Sequence, residues 1–115
     1  MNANSPITTH VLDTALGRPA EDLRVVLSRF DGEGWSTLGN GQTDRGGRIA
    51  DLLRADALSI GRYRLTFATG EYHVRVGMET FYPEVIIEFN VTAAQEHYHI
   101  PLLLSPYGYS TYRGS

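Results

Sequence analysis

Tyr63, Leu65 and Phe67 alternate with Arg62, Arg64 and Thr66 along residues 62–68. A period of two sends successive side chains to opposite faces of a strand, so this stretch predicts a half-buried strand with one face in a core. Residues 84–91 repeat the pattern, setting Val85, Ile87, Phe89 and Val91 against acidic or polar partners and Ile86. Residues 8–12, 23–30, 35–42 and 97–104 read as further strands, with a short one over 48–53. The segments between them carry turn chemistry. Gly17 and Pro19 suit a loop over 13–19, residues 31–34 read as a hairpin turn, and Gly46-Gly47 closes a bend in which positive φ costs little. Residues 69–77 break the alternation and read either as one short helix capped by Thr69 or, through Val74 and Val76, as a strand. Strands at this spacing predict an all-β antiparallel sandwich. Residues 105–115 are unusual for a tail: Pro106, Tyr107, Tyr109 and Tyr112 make it stiff and aromatic, which predicts docking against the fold or another subunit.

The chain has 115 residues, and this length fits a single domain over residues 1–115 with its own core. Hydrophobic residues make up 42% and charged residues 20%, an ordinary globular balance. The net charge is −3 and all ten basic residues are Arg, with no basic block, which argues against nucleic-acid binding. There is no Cys, so disulfides, thiolate metal sites and thiol nucleophiles are excluded. Residues 1–9 lack the basic and apolar regions of a leader, and no apolar run approaches the roughly 18 residues of a membrane span, so a cytoplasmic protein is expected.

Catalysis in such a chain must use His, Arg, carboxylates or hydroxyls. His10, Arg48 and His99 stand out with the final Tyr112-Arg113-Gly114-Ser115. Imidazoles titrating near neutrality can deprotonate water, and a guanidinium can hold a developing oxyanion. Each also has an ordinary reading: His10 and His99 as hydrogen-bonded strand histidines, Arg48 as a solvated strand-end charge, the tail as a frayed end. His97 and His99, two apart on one strand face, have metal-ligand spacing but no evident third ligand. His73 reads as a surface residue. Glu84 and Glu88 share a face without an evident cross-site carboxylate.

Three stretches go further. Ile7-Thr8-Thr9-His10-Val11-Leu12-Asp13 with Gly17-Arg18-Pro19-Ala20, then Thr43-Asp44-Arg45-Gly46-Gly47-Arg48, then the whole of residues 97–115 from His97-Tyr98-His99 to Tyr112-Arg113-Gly114-Ser115, together resemble the 5-hydroxyisourate hydrolase family. The likeness spans the chain, and the C-terminal segment is its most specific part. It implies a transthyretin-like antiparallel β-sandwich of two four-stranded sheets with one short helix. It also implies an active site of His10, Arg48, His99 and the terminal tetrapeptide, with no metal and no cofactor. The implied reaction is hydrolysis of 5-hydroxyisourate to 2-oxo-4-hydroxy-4-carboxy-5-ureidoimidazoline in urate catabolism. His10 and His99 would activate water, with Arg48 on the substrate oxygens. Tyr112, Arg113 and Gly114 would line the pocket, and the Ser115 hydroxyl or carboxylate would orient an imidazole or the substrate. The family forms homotetramers, dimers of dimers, with sites between subunits. Hormone-carrying transthyretins share the Leu-Leu-Ser-Pro-Tyr stretch without these His, Arg and tetrapeptide residues, so a noncatalytic small-ligand carrier is the alternative. One departure is Gly47, in a bend where the family more often has Asp before Gly and Arg, which leaves the turn before Arg48 open.

Overall fold

Burial alternates strictly along the first strand, β1 (Ile7–Asp13): Ile7, Thr9, Val11 and Asp13 point inward, while Thr8, His10 and Leu12 are half-exposed on the other face. This computed structural model describes residues 4–115, so the first three residues of the N-terminal stretch lie outside it. A two-residue strand, β2 (Arg18–Pro19), pairs with the end of β1, and β3 (Arg24–Phe30) and β4 (Trp35–Gln42) form a hairpin. Its turn is tied by the Asp31 carboxylate, which accepts from the Glu33 and Gly34 amides. After the bend come β5 (Arg48–Ile49), β6 (Gly61–Phe67), α1 (Thr69–Arg75), β7 (Val85–Val91), β8 (Tyr98–Ser105) and β9 (Gly108–Thr111).

One sheet runs β4-β3-β6-β7. The other runs β2-β1-β8-β9, with β5 as a fifth strand that shares the outer edge of β1 with β2. Tyr63, Leu65 and Phe67 from the first sheet meet Ile7, Val11, Leu102 and Leu104 from the second in a single core. The two-layer sandwich is what the alternation predicted; the single helix is what the resemblance implied, and of its two four-stranded sheets one gains β5 as a fifth strand. No helix among the described residues is long and apolar enough to cross a membrane.

Several local readings change. β1 and β8 run parallel, pairing Ile7 with Tyr98 through Asp13 with Leu104. They sit at opposite ends of the chain, so no hairpin forces them antiparallel. The strand expected over 48–53 stops at Ile49, because Leu52 and Leu53 are both buried in an irregular segment, which strand alternation forbids. The stretch expected over 69–77 is helix from Thr69 to Arg75, but its N-cap is Ala68, and the Thr69 hydroxyl instead donates to the Tyr82 carbonyl. The tail docks as β9, with Thr111 donating to the Pro101 carbonyl. His73, read as surface, is 1% exposed, and its two ring nitrogens have no partner among the described residues. Helical spacing turns it inward beside Tyr72, whose hydroxyl donates to the buried Asp13 carboxylate.

The bend before β5 rests on Asp44. Its carboxylate accepts from the Gly46 and Arg48 amides, and its main chain bonds Gly47 and Arg48. Gly47 has φ +77°, and a Cβ there would run into the Val11 carbonyl oxygen, to which no side chain can yield. Glycine is therefore required at this position. Gly47→Ala is expected to lower stability by about 1–3 kcal/mol, read from urea unfolding midpoints. An unchanged midpoint would mean that the bend has another stable conformation.

Candidate active site

Strand pairing assembles the site. His10 on β1 stands opposite Arg48 on β5, and Thr8, two residues back on the same face, stands opposite His99 on β8. Two residues along a strand and one strand across separate the His10 and His99 backbones by roughly 8 Å, a span that a small planar heterocycle bridges. The three predicted residues thus share the outer face of the five-stranded sheet. Both imidazoles are half-buried and Arg48 is exposed. Arg48 makes no ion pair among the described residues, so its guanidinium is available on this face.

Burial first, and then neighbouring charges, lower the pKa of both imidazoles. Burial pushes His10 below the ordinary histidine value, and the Arg48 cation adds to this, while a Gly46 main-chain contact and Asp44 oppose it. His99 is pushed down by burial, then by His97, Arg48 and His10, against a main-chain contact with Thr8. A neutral ring beside a fixed cation is suited to taking a proton from water while the cation meets developing negative charge.

These shifts have a stability consequence. His10, His73 and His99 are all held, in the folded chain, below the ordinary histidine value of 6.5. Below that pH the unfolded chain binds protons that the folded chain does not, so their contribution is complete above about pH 6.5 and is lost as pH falls. The urea midpoint should drop between pH 7 and pH 5, and drop less in His73→Phe, which removes the most buried imidazole. A midpoint flat over that range would contradict the burial of His73.

The tail divides. Gly114 bridges to β8, its amide donating to the His99 carbonyl at 2.8 Å. Its Cα lies so close to the ring that an added Cβ would sit 2.6 Å from His99 Cδ2 and 3.3 Å from Pro101 Cγ. Gly114 therefore fits here because it has no side chain. Gly114→Ala should displace the imidazole and lower kcat by about 10²-fold, as a misplacement near 1 Å does, with little change in unfolding midpoint. A kcat within threefold of wild type would show that the ring has room. Ser115 follows, exposed. Tyr112 and Arg113 are not brought onto the imidazole face. They line a groove with Ile87, Phe89, Tyr98 and Ile100, and Arg113 pairs with Glu96 and stacks over the Tyr98 ring.

Two contributors had no place among the candidates. Asp44 builds the bend that starts Arg48, and Thr8 contacts both His97 and His99. The signal for Thr8 was its position two residues before His10, which puts both on one strand face.

The sequence profile of the HIUase/Transthyretin family matches residues 7–114. A 5-hydroxyisourate hydrolase of Salmonella typhimurium is 46% identical over 97% of this chain and 82% of its own length, and one of Mus musculus is 45% identical over 97% of each chain. Among solved structures, Klebsiella pneumoniae 5-hydroxyisourate hydrolase superposes with TM-score 0.81 at 43% identity, covering 95% of this chain and 98% of that one. Sea bream transthyretin in complex with thyroxine superposes with TM-score 0.90 at 29% identity, over 96% and 95%. The backbone is thus shared with a hydrolase and with a thyroxine-bound transthyretin, and sequence identity is higher to the hydrolase. With its sandwich, its paired His10 and Arg48 and its docked tail, the chain belongs to the HIUase/Transthyretin family.

Proposed function

We propose that the chain is a cytoplasmic, metal-independent hydrolase that opens the six-membered ring of 5-hydroxyisourate to give 2-oxo-4-hydroxy-4-carboxy-5-ureidoimidazoline, with residues 1–115 as one domain. The observation that carries this reading is the meeting of His10, Arg48 and His99 on one sheet face in a chain whose near relatives are 5-hydroxyisourate hydrolases.

Ring opening adds water across a C–N bond. An imidazole takes a proton from water, the oxygen attacks a ring carbonyl carbon, and negative charge builds on the carbonyl oxygen. The C–N bond then breaks, and its nitrogen takes a proton back. His10 and His99 are the candidate proton carriers, because burial and the nearby Arg48 cation lower both pKa values and so favour the unprotonated ring that can accept a proton. Arg48 is the candidate partner for the charged oxygen, its fork of donors suiting carbonyl and enolate oxygens alike. Ser115 is our candidate for orienting an imidazole or the substrate, with the main chain at Gly114 setting the edge of the site.

We read the assembly as a homotetramer, a dimer of dimers. A catalytic face that is open in one chain needs a wall to exclude water, and exposed Phe81, Tyr107, Tyr109 and Tyr112 offer apolar area to neighbouring copies. Analytical ultracentrifugation tests this through a mass four times that of the chain.

The likeness to thyroxine-bound transthyretin favours a second reading, a small-ligand carrier using the same face. Ultraviolet absorbance after enzymatic oxidation of urate separates the two. A hydrolase speeds loss of the 5-hydroxyisourate signal, and a chain truncated after Thr111 should be slower. A carrier leaves that decay at the spontaneous rate and only changes the fluorescence of a bound aromatic probe.

A further inference from the structure

The chemistry above gives Thr8 and His97 no part, yet the Thr8 hydroxyl stands between two imidazoles. Its oxygen is 2.8 Å from His99 Nδ1 and 2.9 Å from His97 Nε2. The rings are near parallel, 29° apart, with centroids separated by 6.3 Å. A hydroxyl has one hydrogen and two lone pairs, so it donates to one of these nitrogens and must receive from the other. Both contacts are met by neutral rings only when one facing nitrogen carries a hydrogen and the other a lone pair. The proton placements of His97 and His99 are therefore coupled through Thr8.

Burial and most of the groups around it disfavour the charged form of His99. The groups facing it are His97 beside it, Thr8 and His10 on β1, Arg48 on β5 and the Gly114 main chain from the tail. His97, Arg48 and His10 all disfavour a second proton on the ring. What is left to choose is which nitrogen holds the single proton. The Thr8 main chain favours a proton on this ring, and Nδ1 is the nitrogen that faces Thr8. His97 is exposed, so its remaining nitrogen can bond to water in either state.

We propose that Thr8 and His97 are positioning residues that fix the tautomer of His99: Nδ1–H donates to the Thr8 hydroxyl, the hydroxyl donates to His97 Nε2, and His99 Nε2 keeps a free lone pair. That lone pair is what a base needs to take a proton from water. The use of this device in catalysis rests on the hydrolase reading, whereas the tautomer itself does not. It also gives His97 a role other than metal ligation.

The experiment is nitrogen-15 NMR of the histidine rings in the full chain at pH 7.5, together with hydrolysis kinetics. In the wild type, His99 should show a protonated Nδ1 and an unprotonated Nε2. Thr8→Val, which keeps the shape and loses the hydroxyl, and His97→Ala, which frees the hydroxyl to donate to His99, should both move the proton toward Nε2. Thr8→Ser should restore the wild-type pattern. kcat should fall about tenfold or more in the first two variants, KM should change less than about twofold, and Thr8→Ser should recover kcat. A wild-type His99 protonated on Nε2, or ring signals unmoved by both Thr8→Val and His97→Ala, would overturn the proposal. If the tautomer shifts as expected in a chain that does not accelerate hydrolysis, the positioning claim holds and the hydrolase reading fails. If the chain accelerates hydrolysis and the tautomer does not shift, the positioning claim fails and the hydrolase reading stands.

Discussion

His99→Asn is expected to lower kcat by about 10²–10⁴-fold, the range of a positioned acid–base group, while KM moves little. Asparagine is polar and of similar size, so it can keep a contact with Thr8 and leave Gly114 its place against the side chain. It offers no nitrogen that takes up a proton near neutrality. Because the ring is half-exposed on the outer face and not in the core, the unfolding midpoint should stay near wild type. A folded His99→Asn protein within threefold of wild-type kcat would remove this imidazole from the chemistry.

Arg48→Gln should cost about 10²–10³-fold in kcat, the usual loss when one donor to a developing oxyanion is removed, and Arg48→Lys should recover only part of it because a point charge lacks the planar fork. The fold should tolerate both changes, since the bonds that Arg48 makes within the bend come from its main chain. A second signature separates loss of a cation from general damage. Arg48 holds both His10 and His99 below their ordinary values, so its removal lets both rise. The acid limb of the pH–rate profile should then move to higher pH in Arg48→Gln. A limb that stays in place, or moves to lower pH, would mean that the guanidinium does not act on these rings.

Much of this was legible in the amino-acid sequence, for reasons that can be named. Alternation at Tyr63, Leu65 and Phe67 and at Val85, Ile87 and Phe89 marked strands, because a period of two is a backbone property that side-chain polarity exposes. His10, Arg48 and His99 were found as residue types suited to the chemistry and through a family resemblance, whereas their meeting depends on strand pairing across nearly ninety positions. Nothing local predicts the β1–β8 register or its parallel sense. His73 was misplaced because a seven-residue helix, about two turns, carries too few residues among strands for a 3.6 periodicity to show. Thr8 was overlooked because a strand threonine is ordinary until its cross-strand partner is known to be a histidine. The tail was legible as stiff and docked, but whether its side chains reach the imidazoles was not, and within one chain only the Gly114 main chain meets His99.

The measurement that bears most directly on the account is the ultraviolet decay of freshly generated 5-hydroxyisourate, followed with the wild-type chain and with a triple variant carrying His10→Asn, Arg48→Gln and His99→Asn at matched circular dichroism. The wild type should clear the signal far faster than the spontaneous reaction, and the triple variant should not exceed it. A wild type no faster than buffer, or a triple variant as fast as wild type, would contradict the assignment of hydrolysis to this sheet face.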